Sequence, residues 1–352
     1  MERNRENSKQ EENESISTNT NTLMDQTIPH LNEISTNGFF KLQFQNGSTF
    51  EGDFVNGTVN NNGIYTNQKG EIYKGTFDNE NNIIKNGELT FDHGESNYKG
   101  DFKDGKFDGF GVLKTKDGDV YTGQFKNGLR HGKGILLFPE GDKYEGNFKN
   151  GQIEGFGKLT ITGISEYSGT FLNGVYDGNG TLVNFIKGET YIGEYKQGHK
   201  NGQGMLVMQN GDSYDGSFKD DKFNGQGKYC YREGNFYEGG FKDGDFDGEG
   251  KLIFESGDKY VGSFVKGVRQ GKGVFYFGNG GIYEGEFKND LFDGEGVLYK
   301  GNGDIIEGTF KEGMLDGKAV YYPNNGIPYD IDTNEIIDDD TNDNNDEEKC
   351  SK

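Results

Sequence analysis

Along most of this chain, aromatic side chains alternate with small or polar residues, in short runs of a length that suits a β-strand. The pattern aromatic-x-Gly-x-aromatic begins at Phe50, Tyr73, Tyr98, Tyr121, Tyr144, Tyr167, Tyr191, Tyr214, Tyr237, Tyr260 and Tyr283, with a weaker twelfth copy at Ile306. Successive copies lie 23 residues apart, except for 25 between Tyr73 and Tyr98 and 24 between Tyr167 and Tyr191. A fixed period of this length marks a repeat architecture built from one supersecondary unit.

The unit reads as a β-hairpin. In the copy starting at Tyr98, period-two alternation puts Tyr98, Gly100 and Phe102 on one face. Asp104-Gly105 follows as a two-residue turn, since both positions of a type I′ turn need positive φ. That turn predicts the pairs Lys103–Lys106, Phe102–Phe107, Gly100–Gly109 and Tyr98–Gly111, each tyrosine facing a glycine that leaves room for its ring. The same face is expected from Tyr121, Gly123 and Phe125; from Tyr144, Gly146 and Phe148; and from Tyr214, Gly216 and Phe218. It recurs in Tyr260, Gly262 and Phe264, and in Tyr283, Gly285 and Phe287.

The return connection provides an independent check. Keeping Leu113 opposite Tyr121 centres a three-residue loop, Lys116-Asp117-Gly118, which ends in the glycine that a left-handed position favours. The same arithmetic gives Gln45-Asn46-Gly47, Pro139-Glu140-Gly141, Gln209-Asn210-Gly211, Arg232-Glu233-Gly234, Glu255-Ser256-Gly257, Gly301-Asn302-Gly303 and Asn324-Asn325-Gly326. The stretch 78–97, the triplet Thr162-Gly163-Ile164 and the link 183–190 break the rule and are read as bulges or bends. The expectation is an all-β, elongated and twisted single-sheet antiparallel meander of about twelve 23-residue hairpins, roughly 24 strands and on the order of 110 Å long. Residues 38–332 form the rod, between an Asn/Glu-rich disordered segment at 1–37 and an acidic disordered tail at 333–352.

Composition supports one repetitive structure over several domains. The 352 residues include 60 glycines, 48 Tyr and Phe together, no tryptophan and only 30% hydrophobic residues, too few for several compact cores. The formal charge is −22, of which residues 1–36 carry seven acids against three bases and residues 328–352 ten against two. That balance argues against a nucleic-acid partner, which needs a basic footprint. Cys230 and Cys350 are far apart, and no apolar run suits a signal peptide or a membrane span, so a soluble cytoplasmic protein is expected.

These units resemble the MORN repeat, most closely at Tyr144-Glu145-Gly146-Asn147-Phe148 and Tyr283-Glu284-Gly285-Glu286-Phe287. The resemblance implies an elongated, grooved sheet. Similar arrays occur beside kinase or methyltransferase domains, in membrane-junction proteins, in radial-spoke heads of cilia and in cytoskeletal scaffolds. Here the repeats leave no room for a catalytic domain, so the implied protein is a bare array.

The residues themselves offer little chemistry. Gly-x-Gly, as in Gly132-Lys133-Gly134, has no helix after it to cradle a phosphate. His30, His93, His131 and His199 share no metal-ligand spacing, so neither cofactor nor metal is expected and no enzyme is read. Two stripes remain. Lys103, Lys126, Lys149, Lys196, Lys219, Lys242, Lys288 and Lys311 line the polar face, either to meet anionic lipid headgroups or to answer nearby acids, such as Glu145 before Lys149. On the aromatic face, Phe107, Tyr176, Phe223, Phe246 and Phe292 are either packing residues or anchors for a partner chain, and Arg130, Lys200 and Arg269 stand at the same position. The reading is a non-enzymatic structural scaffold, cytoskeletal or ciliary, that binds proteins through its groove or strand edges and is able to form a homodimer. The alternative is a peripheral membrane module using the lysine stripe.

Overall fold

The computed structural model describes residues 37–56, 58–77 and 84–333. The expected terminal segments lie outside the described residues, apart from one residue each, as do His30, Cys350 and part of the irregular stretch 78–97. The described residues form 26 β-strands and a three-residue 3-10 turn at Asp92–Gly94. The chain divides into two units, Met1–Gly198 and His199–Lys352. Within each, consecutive strands pair antiparallel, so each is a meander of hairpins.

The hairpin turns adopt the expected geometry. Asp104 and Gly105 have φ of 50° and 71°, and Asp221 and Asp290, standing where glycine is usual, take 69° and 70°. Short polar side chains tolerate this left-handed region. The return loops also match: Leu113 pairs with Tyr121, the Thr115 N–H donates to the Asp119 carbonyl at 3.0 Å, and Gly118 sits at φ 94°. The first strand is Gly38–Gln43 with Leu42 opposite Phe50, and the last is Tyr329–Asp332 with Tyr329 opposite Tyr321.

Inside the hairpin the expected register is wrong by two residues. Gly100 pairs with Gly111, not Gly109, and Tyr98 pairs with Leu113, not Gly111. Between the Gly100–Gly111 and Phe102–Phe107 pairs, Asp101 faces Asp108, Gly109 and Phe110 together. Gly109 has φ +98°, a conformation that bulges the strand and that side chains resist. The Tyr98 ring still lies over glycine, but over the Gly100–Gly111 rung beside its own: a Cβ on Gly111 would meet its Cε2 and Oη at 2.5 Å. Equivalent shifts occur at Gly123/Phe125, Gly146/Phe148, Gly216/Phe218, Gly262/Phe264 and Gly285/Phe287.

Bulges therefore belong to the regular repeat. Two of the irregular stretches instead lengthen or reshape loops: Thr162-Gly163-Ile164 connects the Ile161–Ser165 pair, and residues 185–188 connect Asn184 with Glu189.

Packing ties each hairpin to the next. Tyr98 meets Phe102 of its own strand edge-on at 5.1 Å and Phe125 of the following repeat at 5.2 Å, contacts worth about 0.5–1.5 kcal/mol each. Its remaining face stacks on Phe107 at 3.7 Å. Tyr98, Tyr144, Tyr214, Tyr260 and Tyr283 are fully buried, although each lies in a single layer of sheet.

Candidate interaction surface

Most of the motif is consumed by structure. The tyrosine hydroxyl donates to the carbonyl three residues on, inside the bulge: Tyr98 to Asp101 at 2.8 Å, Tyr121 to Gln124 at 2.8 Å, Tyr214 to Ser217 at 2.9 Å. The sequence reading missed this bond, although the preference for Tyr over Phe at the first aromatic position was its signal. Burial raises these phenols, to about 12 for Tyr121 despite the neighbouring Arg130 charge, which works the other way.

A second missed feature is a ladder of polar side chains two residues before most of the leading motif residues, the tyrosines and Ile306. Asp142 Oδ1 accepts the Thr162 N–H at 3.0 Å, Asp212 that of Arg232 at 2.9 Å, Asp258 that of Gly278 at 2.6 Å and Asp304 that of Asn324 at 2.9 Å. Each acceptor serves the loop of the following repeat. Burial works against ionisation of Asp212, but the Arg232 N–H, the Tyr229 hydroxyl and the Asn210 amide outweigh it and hold its carboxyl below the usual range.

The lysine stripe is exposed at Lys103, Lys126, Lys149, Lys219, Lys242 and Lys288. Its acids are not those the sequence suggests. Lys149 bonds Glu154 at 2.6 Å across the turn, whereas Glu145 bonds Lys143 at 2.7 Å. Residues 145 and 149 are four apart along one extended strand, about 13 Å, whereas Glu154 stands just across the turn from Lys149, beside the Phe148–Ile153 rung. Lys103 pairs directly with Lys106, and Lys219 with Lys222.

On the aromatic face the two units differ. In the first, Phe107 is 3% exposed and Tyr176 9%, beneath neighbouring rings. In the second, Phe223, Phe246 and Phe292 are only partly buried, each stacked on its tyrosine at 3.8–3.9 Å. At the equivalent position Arg269 lies over Tyr260, Phe275 and Phe287 at 5.4–5.8 Å, and its Nε meets Asp290 at 3.1 Å. Arg130 lies likewise over Tyr121 and Phe148 at 5.8 and 5.6 Å. Burial lowers the Arg130 pKa, and Asp119 opposes that shift.

Among the described residues no cluster of His, Cys, Asp and Glu suits a metal ion, and no helix is long and apolar enough to cross a membrane. His199 Nδ1 lies 2.6 Å from Asp221, as a pair rather than a ligand set.

The model of the MORN repeat family matches ten stretches: residues 98–120, 121–143, 144–162, 167–183, 191–213, 214–236, 237–259, 260–282, 283–305 and 307–327. No curated protein matches the chain. Among solved structures it is similar to the TCP domain of SAS-4 from Drosophila melanogaster, in complex with a proline-rich motif of Ana2. That match has 15% identity and TM-score 0.30, over 44% of this chain and 84% of that one. It is also similar to the TCP10 domain of CPAP from Danio rerio, at 10% identity and TM-score 0.17, over 84% of this chain and 99% of that one. A likeness this distant carries no statement about activity or partners.

Proposed function

Because the chain belongs to the MORN repeat family, we propose that it is a non-enzymatic scaffold whose repeats bind other proteins. The observation that supports this most is the open row Phe223, Phe246 and Phe292, apolar rings left partly exposed by a repeat that buries its leading tyrosines completely. Residues 38–332 are the working array, in a cytoplasmic protein attached to cytoskeleton or cilium. Among the described residues, the terminal strands Gly38–Gln43 and Tyr329–Asp332 are each paired on one side and offer edges for a homodimer. The test is extraction of cells expressing the tagged chain, first with detergent and then with high salt. Retention in the resistant pellet, with a dimer mass by light scattering of the purified protein, is the expected result. Full release by detergent and a monomer that captures nothing by cross-linking would remove the reading.

A second reading has one observation of its own, the like-charged pairs Lys103–Lys106 and Lys219–Lys222 on the polar face. Neighbouring cations attract anionic headgroups. Vesicles containing phosphatidylserine at low salt decide it: binding lost on changing Lys126, Lys149, Lys219 and Lys242 to Glu supports a membrane module, and no binding removes it.

A further inference from the structure

The aromatic row is sealed in the first unit and open in the second, and the molecule itself shows what its ring faces accept. At two of the repeat positions the stacked ring is replaced by a guanidinium. Arg269 sits over three rings, with its Nε on Asp290 Oδ1 and its Nη2 donating to the Asp290 carbonyl at 2.8 Å. Arg130, 5% exposed, is packed between Tyr121 and Phe148. The face thus holds guanidinium groups as readily as phenyl rings, through attraction of the cation to the ring quadrupole. Acids crowd the same stretch. Residues 199–333 carry 23 acidic against 15 basic side chains, and Asp220, Asp221 and Asp243 stand in the turns beside Phe223 and Phe246. The lysine stripe does not oppose a cation there, because alternation places Lys219 and Lys242 on the opposite face from Phe218 and Phe241.

We infer that the open aromatic row of the second unit, Phe223, Phe246 and Phe292, docks an extended arginine-bearing peptide segment of a partner protein, its guanidinium groups lying against the accessible parts of these rings as Arg269 lies over the rings around it within the chain. This rests on the scaffold reading and names the chemistry of its partner. An extended segment suits the row. Phe223 and Phe246 stand two strands, about 10 Å, apart, and Phe292 stands four strands, about 20 Å, beyond Phe246 because Arg269 holds the position between them. Side chains three and six residues apart in a polyproline-like chain reach these spacings.

The experiment uses the full chain with fluorescent dodecapeptides of sequence (Arg-Pro-Ser)4, (Lys-Pro-Ser)4 and (Glu-Pro-Ser)4, read by anisotropy at 0.15 M salt. The arginine peptide binds most tightly. Changing Phe246 and Phe292 together to Arg, a substitution with internal precedent at Arg269, weakens it at least tenfold. Changing Phe107 and Tyr176 together to Arg alters net charge equally but touches the sealed row, and leaves binding within twofold. Should the first double variant melt early by circular dichroism, Phe246→Leu with Phe292→Leu keeps the apolar volume without the ring faces and gives the same loss. Equal weakening by both arginine pairs, or equal affinity for the arginine and lysine peptides with the same salt dependence, overturns the proposal. An array of acidic and apolar peptides separates it from the broader reading: capture of those alone leaves a protein-binding scaffold and removes the arginine partner, whereas capture of nothing removes both.

Discussion

At the residue scale the repeat depends on two glycines that look alike in sequence and do different things. Gly248 has φ +87° with open space where a Cβ would be, while a Cβ on Gly250 would meet the Tyr237 Cε2 and Oη at 2.4 Å. Tyr237 cannot yield, since it is held edge-on by Phe241 and Phe264 and stacked on Phe246. Gly248→Ala should therefore cost about 1 kcal/mol through backbone conformation alone. Gly250→Ala should cost roughly 3 kcal/mol or more through overpacking. Urea midpoints of the two variants measure the difference, and equal shifts would show that the ring is not pinned. The tyrosines make a second test. Burial lifts Tyr121, Tyr214, Tyr260 and Tyr283 from 10.0 to about 12. A raised phenol favours the folded chain below pH 10, and that contribution fades as pH climbs from 10 through 12, because the unfolded chain ionises first. Phenolate absorbance and loss of β-sheet dichroism should then rise together above pH 10. Ionisation of most tyrosines near pH 10 with the sheet intact would contradict the burial.

At the element scale the hairpin was legible and its interior was not. Turn chemistry at Asp104-Gly105 and loop chemistry at Lys116-Asp117-Gly118 fix both ends of each strand, and both stand as expected. The bulge was hidden because a glycine required for positive φ, Gly109, and a glycine required by a ring above it, Gly111, leave the same letter. The ladder of loop acceptors was hidden because each bond spans 20 residues, as between Asp258 and the Gly278 N–H. Its trace was a polar residue two places before most leading motif residues, at Ser96, Asp142, Asp212, Asn235 and Asp258 before tyrosines and at Asp304 before Ile306. The open or sealed state of the aromatic row was not legible at all, since Phe107 and Phe246 occupy the same repeat position and differ only in what packs around them. The ladder carries its own prediction. Asp258→Ala leaves the Gly278 N–H without its acceptor and should cost about 1–3 kcal/mol, felt in the following loop rather than its own. Amide exchange at residues 276–280 should accelerate more than at 253–257, and the reverse order would make the bond incidental.

At the scale of the molecule, coupling runs from neighbour to neighbour. Tyr260 touches Phe264 of its own hairpin and Phe287 of the next, and the Asp258 ladder joins the same two repeats. On the turn side the Gly267 N–H donates to the Phe246 carbonyl at 2.9 Å and the Gly313 N–H to Phe292 at 2.9 Å, so each hairpin is fastened at both ends. A chain with only such links should respond to damage locally, with an effect that declines over distance. In the second unit, hydrogen exchange should be slow in Lys259–Val265, which has a partner on each side, and fast in Tyr329–Asp332, which has one. Gly262→Ala should then deprotect Asp245–Ile253 and Val268–Tyr276 strongly, Ile282–Lys288 less, and Met314–Tyr322 little. The gradient is the measurement that matters. Loss of protection by an equal amount across all four strands would mean that the unit unfolds as one body, and that the stacked rings and the loop ladder bind it together beyond nearest neighbours.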